Sequence, residues 1–345
     1  MKICNVAFCG TGKWVMTYHV PNLQRLSDRY RIIGFYDCFE EKAHSAAGQL
    51  GAKCYKSIEE LIADKEVDLV VVATKPVPTH FDVTLQLLEG GKNVILEKPM
   101  TYDSKECDSL IAKAREKGVI FTVHHNMRYS TSMRAAEEVI RTKAVGEPVI
   151  VEINSPRSWY DYIDFSNYAA HMTDQALALN RSPLKEVTAN LLHPEQGMGG
   201  AGHGSAYLRF EEGPEIWLSL NPMPLKRTGK DPLQFHYTYF RFSINGTANS
   251  VGIMDSGPTP SSDFLLNRKA YYYDKELPCF EDPEFVRTLD RGYFEMFYDH
   301  WANGGKLEVT AEQARNVIRC MELMVESSLK KETVQATGML PDTFQ

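Results

Sequence analysis

The sequence predicts two domains: a doubly wound parallel α/β domain over residues 1–123 and an α+β domain over residues 124–345. Three observations carry that expectation. Short apolar runs alternate with helix-compatible segments up to Val123, as in a parallel sheet with crossover helices. The first run stops at Gly10-Thr11-Gly12, a turn that opens a helix. Beyond Val123 the strands cluster instead of alternating, with long loops between them.

Residues 3–9 (ICNVAFC) are the first strand, and a helix-compatible segment runs from the glycine turn to about Arg29. A second apolar run, residues 31–36, closes at Asp37. Strand, glycine turn, helix, strand and acid form the order in which a dinucleotide is held. Gly10 permits the tight turn. Gly12 lets the backbone approach a pyrophosphate at the helix N-terminus, where free N–H groups and the dipole favour anions. Asp37 is placed to accept from an adenosine ribose and would repel a 2′-phosphate, so NAD is expected over NADP. Thr11, Lys13 and Trp14 complete the expected cofactor loop. The third glycine position of the pattern is Val15, a change that bears on helix–strand packing and not on the phosphate contact.

The alternation continues with helices at 40–50 and 58–63, a buried strand at 67–73 (VDLVVVA) and a helix at 79–91. A strand at 93–96 (NVIL), a helix at 104–117 closed by Gly118 and a strand at 119–123 follow. In the second domain a helix at 132–143 precedes strands at 148–154, 184–192, 206–210, 215–220, 235–244 and 249–253. Gly/Pro-rich loops at 195–204 and 221–232 are expected near the cleft or a subunit contact. The helix at 311–330 carries apolar residues at helical spacing and is expected to pack between the domains.

Composition narrows the class. The net charge of −7 and the lack of a basic stripe with interleaved aromatics speak against nucleic acid. No apolar run approaches a membrane span of about 20 residues, and the N-terminus lacks the pattern of a signal peptide. The seven cysteines are odd in number and none are spaced as CxxC, so neither a disulfide framework nor a metal site is expected. The expected location is cytoplasmic.

The strand at 93–96 runs into Glu97-Lys98-Pro99, and here the sequence resembles the Gfo/Idh/MocA family of oxidoreductases. The resemblance extends through ATKPVPTH (73–80), GGKNVILEKPM (90–100), HHNMRY (124–129), KAVGEPVIVEI (143–153), HMTDQAL (171–177) and INGTANSVGI (244–253). It implies a Rossmann domain, then an α+β domain with a large open, mostly antiparallel sheet used in dimer or tetramer contacts. It also implies a lysine beside the nicotinamide, often preceding a cis proline.

A charged triplet at the carboxyl end of a buried parallel strand sits where such sheets bind ligands, so Glu97 and Lys98 are expected at the cofactor. Lys98 is placed to orient a substrate hydroxyl and stabilise an alkoxide. Thr74, Pro76, His80 and Asn126, at other strand ends, are expected along the nicotinamide half. His171 and Asp174 stand at i and i+3 of one helix and share a face. An imidazole suits the proton removal that alcohol oxidation needs. The family carries Asp four residues before this histidine; here it is Asn167, which can hydrogen-bond a sugar hydroxyl but cannot take its proton. Arg157, Trp159 and Tyr160 form an aromatic, hydrogen-bonding stretch suited to a pyranose ring.

The sequence thus predicts an NAD-dependent dehydrogenase acting on a sugar, glycoside or polyol, with Lys98 and His171 handling the proton. Two other readings stay open: a redox-assisted glycoside hydrolase that recycles its NAD, and a non-catalytic NAD(P)-binding sensor.

Overall fold

The computed structural model describes residues 2–155, 162–192, 203–220, 242–253, 271–272, 275–276, 279, 282–289 and 291–341. They form two compact units, Met1–His125 with Gly292–Ile318, and Asn126–Arg291 with Arg319–Gln345.

In the first unit, β1 (Cys4–Cys9), β2 (Tyr30–Tyr36), β3 (Lys53–Cys54), β4 (Leu69–Val72), β5 (Asn93–Leu96) and β6 (Phe121–Val123) form one sheet. Their order is β3-β2-β1-β4-β5-β6, and every pair is parallel. The order reverses between β1 and β4, which creates a ligand-binding crevice beyond their carboxyl ends. Parallel strands covered on both faces need apolar side chains throughout, and β4 (LVVV) is wholly buried.

The crossover helices are α1 (Val20–Arg25), α2 (Glu40–Leu50), α3 (Ile58–Ala63), α4 (Thr79–Glu89) and α5 (Ser104–Lys117). Ser57 and Asp103 accept from the backbone at the starts of α3 and α5. Gly51 and Gly118 supply the left-handed residue that ends α2 and α5. The helix expected from the glycine turn to Arg29 begins at Lys13, widens into a π turn over Val15–His19 and ends at Arg25. The wider turn coincides with Val15, buried where a glycine would let helix and strand close up.

In the second unit α6 (Thr131–Arg141), α7 (Tyr162–Leu179) and α8 (Pro283–Thr288) accompany a seven-stranded sheet. Its strands are β7 (Pro148–Ser155), β8 (Leu184–Leu192), β9 (His203–Phe210), β10 (Glu215–Leu220), β11 (Phe242–Gly246) and β12 (Ser250–Ile253). After a small ribbon of β13 (Tyr271–Tyr272) and β14 (Lys275–Glu276), β15 (Val334–Gln335) joins the edge. The order is β12-β11-β7-β10-β9-β8-β15. All pairs are antiparallel except β7 with β10. Val151, Ile153, Val187, Leu208, Ile216 and Leu218 are buried, whereas Trp217 is 46% exposed. Of the strand expected at 235–244, residues 235–241 lie outside the described residues, as do most of both Gly/Pro-rich loops.

Two later helices follow, α9 (Tyr293–Asn303) and α10 (Ala311–Lys330). The chain returns to the first unit through α9 and the start of α10. There Tyr293 Oη meets Thr122 Oγ1 at 2.9 Å and donates to Val123 O at 3.0 Å, and Arg315 pairs with Asp108. Among the described residues no helix is long and apolar enough to cross a membrane.

Candidate cofactor and active site

The glycine turn leaves β1 directly at the switch point. Gly10 has φ +98°, and a Cβ there would lie 2.5 Å from the Ala73 carbonyl oxygen, so only glycine fits. Gly12 differs: a Cβ on it would meet nothing within 4 Å. No protein contact demands a glycine there.

Asp37, at the end of β2, ties this turn down. Its Oδ2 accepts from Thr11 N at 2.8 Å and Thr11 Oγ1 at 2.7 Å, while Oδ1 accepts from Phe39 N at 3.0 Å. Partial burial pushes the Asp37 carboxyl upward, but the hydrogen bonds from Phe39 and Thr11 outweigh it and hold the group below its ordinary value. Asp37 is therefore ionised at neutral pH, with Oδ2 held by two donors and Oδ1 by Phe39 N and, at 3.8 Å, the weak donor Cys38 Sγ. Lys13 is exposed and Trp14 half-buried.

Two cis-proline bonds, Lys75–Pro76 and Lys98–Pro99, follow β4 and β5. His80, at the start of α4, lies between them. Its Nδ1 is 3.0 Å from Pro99 O and its Nε2 is 3.1 Å from Thr74 O. Burial lowers the His80 pKa despite those two carbonyls, so the neutral ring donates to one of them. Thr74 Oγ1 accepts from Thr79 Oγ1 at 2.8 Å. Pro76 is exposed.

Glu97 occupies the centre of a buried cluster that sequence reasoning missed. Its Oε1 accepts from Trp14 Nε1 at 3.2 Å and lies 2.7 Å from both His19 Nε2 and His124 Nδ1. Its Oε2 accepts from Lys98 N at 3.2 Å. Burial would raise this carboxyl, but the facing His124 and His19 hold it well below the usual range. An ionised carboxylate only accepts, so both imidazoles donate to it. Burial lowers the His124 pKa, and a neutral ring still supplies the N–H that Glu97 needs. The sequence did offer a signal for His124, which follows β6 as Glu97 follows β5; His19 gave none.

His19, Glu97 and His124 also offer three ligand atoms within 4.8 Å of one another, spacing that a cation can use. The outer nitrogens argue otherwise. His19 Nδ1 and His124 Nε2 are buried and meet no partner among the described residues. Metal ligation through the inner nitrogens would put N–H groups on those outer positions with no acceptor, and ligating imidazoles normally have one there.

In the second unit, Asn126 begins a 3-10 turn, Asn126–Tyr129, and is half-buried. His171 lies on α7 and is also half-buried. Asp174, three residues on, is fully buried, where its carboxylate takes a bidentate pair from Arg128. That pair anchors α7 to the turn and leaves His171 as the accessible member of the two. Asn167 is in α7. Arg157, Trp159 and Tyr160 lie outside the described residues. Lys98 belongs to the first unit and His171 to the second.

The parallel sheet, its switch point and the glycine turn held by a β2 acid define a dinucleotide-binding domain. Residues 4–125, which lie in the first unit, match the model of the Gfo/Idh/MocA oxidoreductase family with an NAD-binding Rossmann fold. An uncharacterized oxidoreductase of Schizosaccharomyces pombe is 31% identical over 208 residues, 55% of each chain. The match thus spans about half the length of that relative. The scyllo-inositol 2-dehydrogenase (NADP(+)) IolW of Bacillus subtilis is 24% identical over 95% of each chain. A solved NAD-binding protein from Listeria innocua shares the fold with a TM-score of 0.75, at 24% identity and 98% coverage of both chains.

Proposed function

We propose that this chain is an NAD-dependent dehydrogenase that moves a hydride between a CH–OH group of a polyol or sugar and the nicotinamide. The observation that carries the reading is the glycine turn clamped to Asp37, on a sheet whose β5 ends in Glu97-Lys98. The nicotinamide, when bound, supplies the hydride acceptor. Gly10, Thr11, Gly12, Lys13 and Trp14 bind the pyrophosphate half. Asp37 Oδ1, which the Phe39 amide and the exposed Cys38 thiol engage in the free protein, accepts from the adenosine ribose, which favours NAD. Thr74, Pro76 and Asn126 face the nicotinamide half. The polar atoms of His80 and Glu97 are already engaged, so these two shape the wall of the site. Lys98 orients the substrate hydroxyl and stabilises negative charge on its oxygen, and His171 takes the proton. Asn167 hydrogen-bonds a neighbouring hydroxyl. The names of relatives support a cyclic polyol: one is the B. subtilis protein above, another a myo-inositol 2-dehydrogenase of Thermotoga maritima, 26% identical over 65% of its length. The exposed Trp217 supports self-association through the second unit's sheet, and the free cysteines support a cytoplasmic location.

The test is incubation of the protein with NAD⁺ or NADP⁺ and a panel of inositols, sugars and glycosides, followed by absorbance at the reduced-cofactor band and mass spectrometry. A product two hydrogens lighter, formed with reduced cofactor, is the expected result. Cofactor binding with every compound returned unchanged would overturn the proposal.

A further inference from the structure

The buried cluster around Glu97 has no counterpart in a simple strand–loop–helix connection. Three polar side chains from two separate parts of the first unit converge on one oxygen. Trp14 and His19 come from the helix that opens after the glycine turn, and His124 from the end of β6. The second oxygen is turned to the peptide N–H of Lys98. A segment that only filled space would be apolar here, since Phe8, Tyr18, Tyr293 and Phe294 pack around the two rings.

The hydrogen-bond inventory fixes the proton positions. Glu97 needs N–H on His19 Nε2 and on His124 Nδ1. The opposite nitrogens, His19 Nδ1 and His124 Nε2, are buried without a partner. A bare ring nitrogen there is tolerable, whereas an N–H would be an unsatisfied buried donor. The two rings thus face one acceptor through opposite nitrogens, Nε2 of His19 and Nδ1 of His124.

We propose that Glu97, locked by Trp14, His19 and His124, is a positioning residue that sets where Lys98 stands relative to the glycine turn. The cofactor loop and the lysine loop are joined through a single carboxylate, so the two halves of the site keep register with each other. This inference rests on the reading that Lys98 orients the substrate hydroxyl.

Two experiments test it, and the first needs no turnover. With ¹⁵N-labelled histidine, NMR of the free protein is expected to show His19 as the Nε2–H tautomer and His124 as the Nδ1–H tautomer. In Glu97→Gln an NH₂ or a displaced carbonyl faces the Lys98 amide, and exchange of that amide is expected to quicken at least tenfold while the β5 amides hold. A cationic ring, the reverse tautomers, a stoichiometric metal in the purified protein, or unchanged Lys98 exchange would each overturn the proposal.

The second experiment uses amides that mimic one ring nitrogen. His19→Gln and His124→Asn keep the donor in place, and His19→Asn and His124→Gln misplace it. The first two are expected to retain kcat within about threefold. The second two are expected to lose tenfold or more, with NADH affinity within about threefold and all assays run below each variant's unfolding midpoint. If all four lose activity in proportion to their thermal midpoints, the cluster is packing and the proposal fails. If the wild type binds NADH but turns over nothing, the dehydrogenase reading fails instead, and the tautomer and exchange results decide the positioning role alone.

Discussion

Replacing Asp37 by serine separates two duties that the structure gives to one carboxylate. Oδ2 holds the glycine turn through Thr11 N at 2.8 Å and Thr11 Oγ1 at 2.7 Å. Hydrogen bonds to a charged acceptor contribute about 1.5–3 kcal/mol each. A serine hydroxyl is shorter and restores one of them at best. The turn then loses about 1.5–3 kcal/mol of order, which corresponds to a fall of about 10- to 100-fold in NADH affinity. The second duty is selection. A 2′-phosphate about 5 Å from the carboxylate would be repelled by about 3 kcal/mol per unit charge at an effective dielectric of about 20. Asp37 is partly exposed, so solvent screening reduces this to about half. The wild type is therefore expected to favour NADH over NADPH by about tenfold or more. In Asp37→Ser the two losses oppose each other for NADPH, whose affinity holds or rises, and the preference shrinks toward one. Titration of both reduced cofactors by fluorescence measures all four constants. Equal binding of NADH and NADPH by the wild type, or an equal loss of both in the variant, would refute the argument.

The two glycines of the turn are expected to fail differently. Gly10→Ala forces a Cβ to within 2.5 Å of Ala73 O at φ +98° and is expected to cost about 2–3 kcal/mol in a urea melt. Gly12→Ala meets no protein atom within 4 Å; its stability should hold within about 0.5 kcal/mol while NADH binding weakens at least tenfold, and wild-type binding would mean that the backbone here does not touch the pyrophosphate. Stability should also fall on mild acidification. His80 and His124 both have folded pKa values lowered by burial, so the unfolded chain binds protons first as pH drops below about 6.5. Stability is then lost at up to about 1.4 kcal/mol per pH unit for each histidine. Urea midpoints that are equal at pH 7.5 and 5.5 would contradict that assignment.

Much of the first unit was legible in the residues themselves. The helix over 40–50 and the short one over 58–63 end where turn chemistry says they should, at Gly51 and Asp64. The run NVIL is a strand whose three buried residues, Val94, Ile95 and Leu96, are all apolar, as a parallel strand covered on both faces requires. Its end therefore delivers Glu97 and Lys98 to the rim of the sheet. Apolar period and turn residues are local properties, carried by neighbours in the chain.

What the sequence did not contain was the set of partners. Nothing in the chain announces His19 as a partner of Glu97, and His124 signals only that it stands at a strand end; they meet Glu97 because β1, β5 and β6 end at the same edge of one sheet. The π turn at Val15–His19 is likewise invisible to a helical period. The parallel pairing of β7 with β10 inside an otherwise antiparallel sheet depends on strands that are distant in sequence. Asp174 reads as a helix-face partner of His171, yet in the fold Arg128 takes it into the interior. The residue types and the strand ends that bear them were written in the chain. Which of those polar groups are used up inside the protein, and which are left for a ligand, was decided only by tertiary structure, because a buried donor or acceptor finds its partner across the fold and not along it.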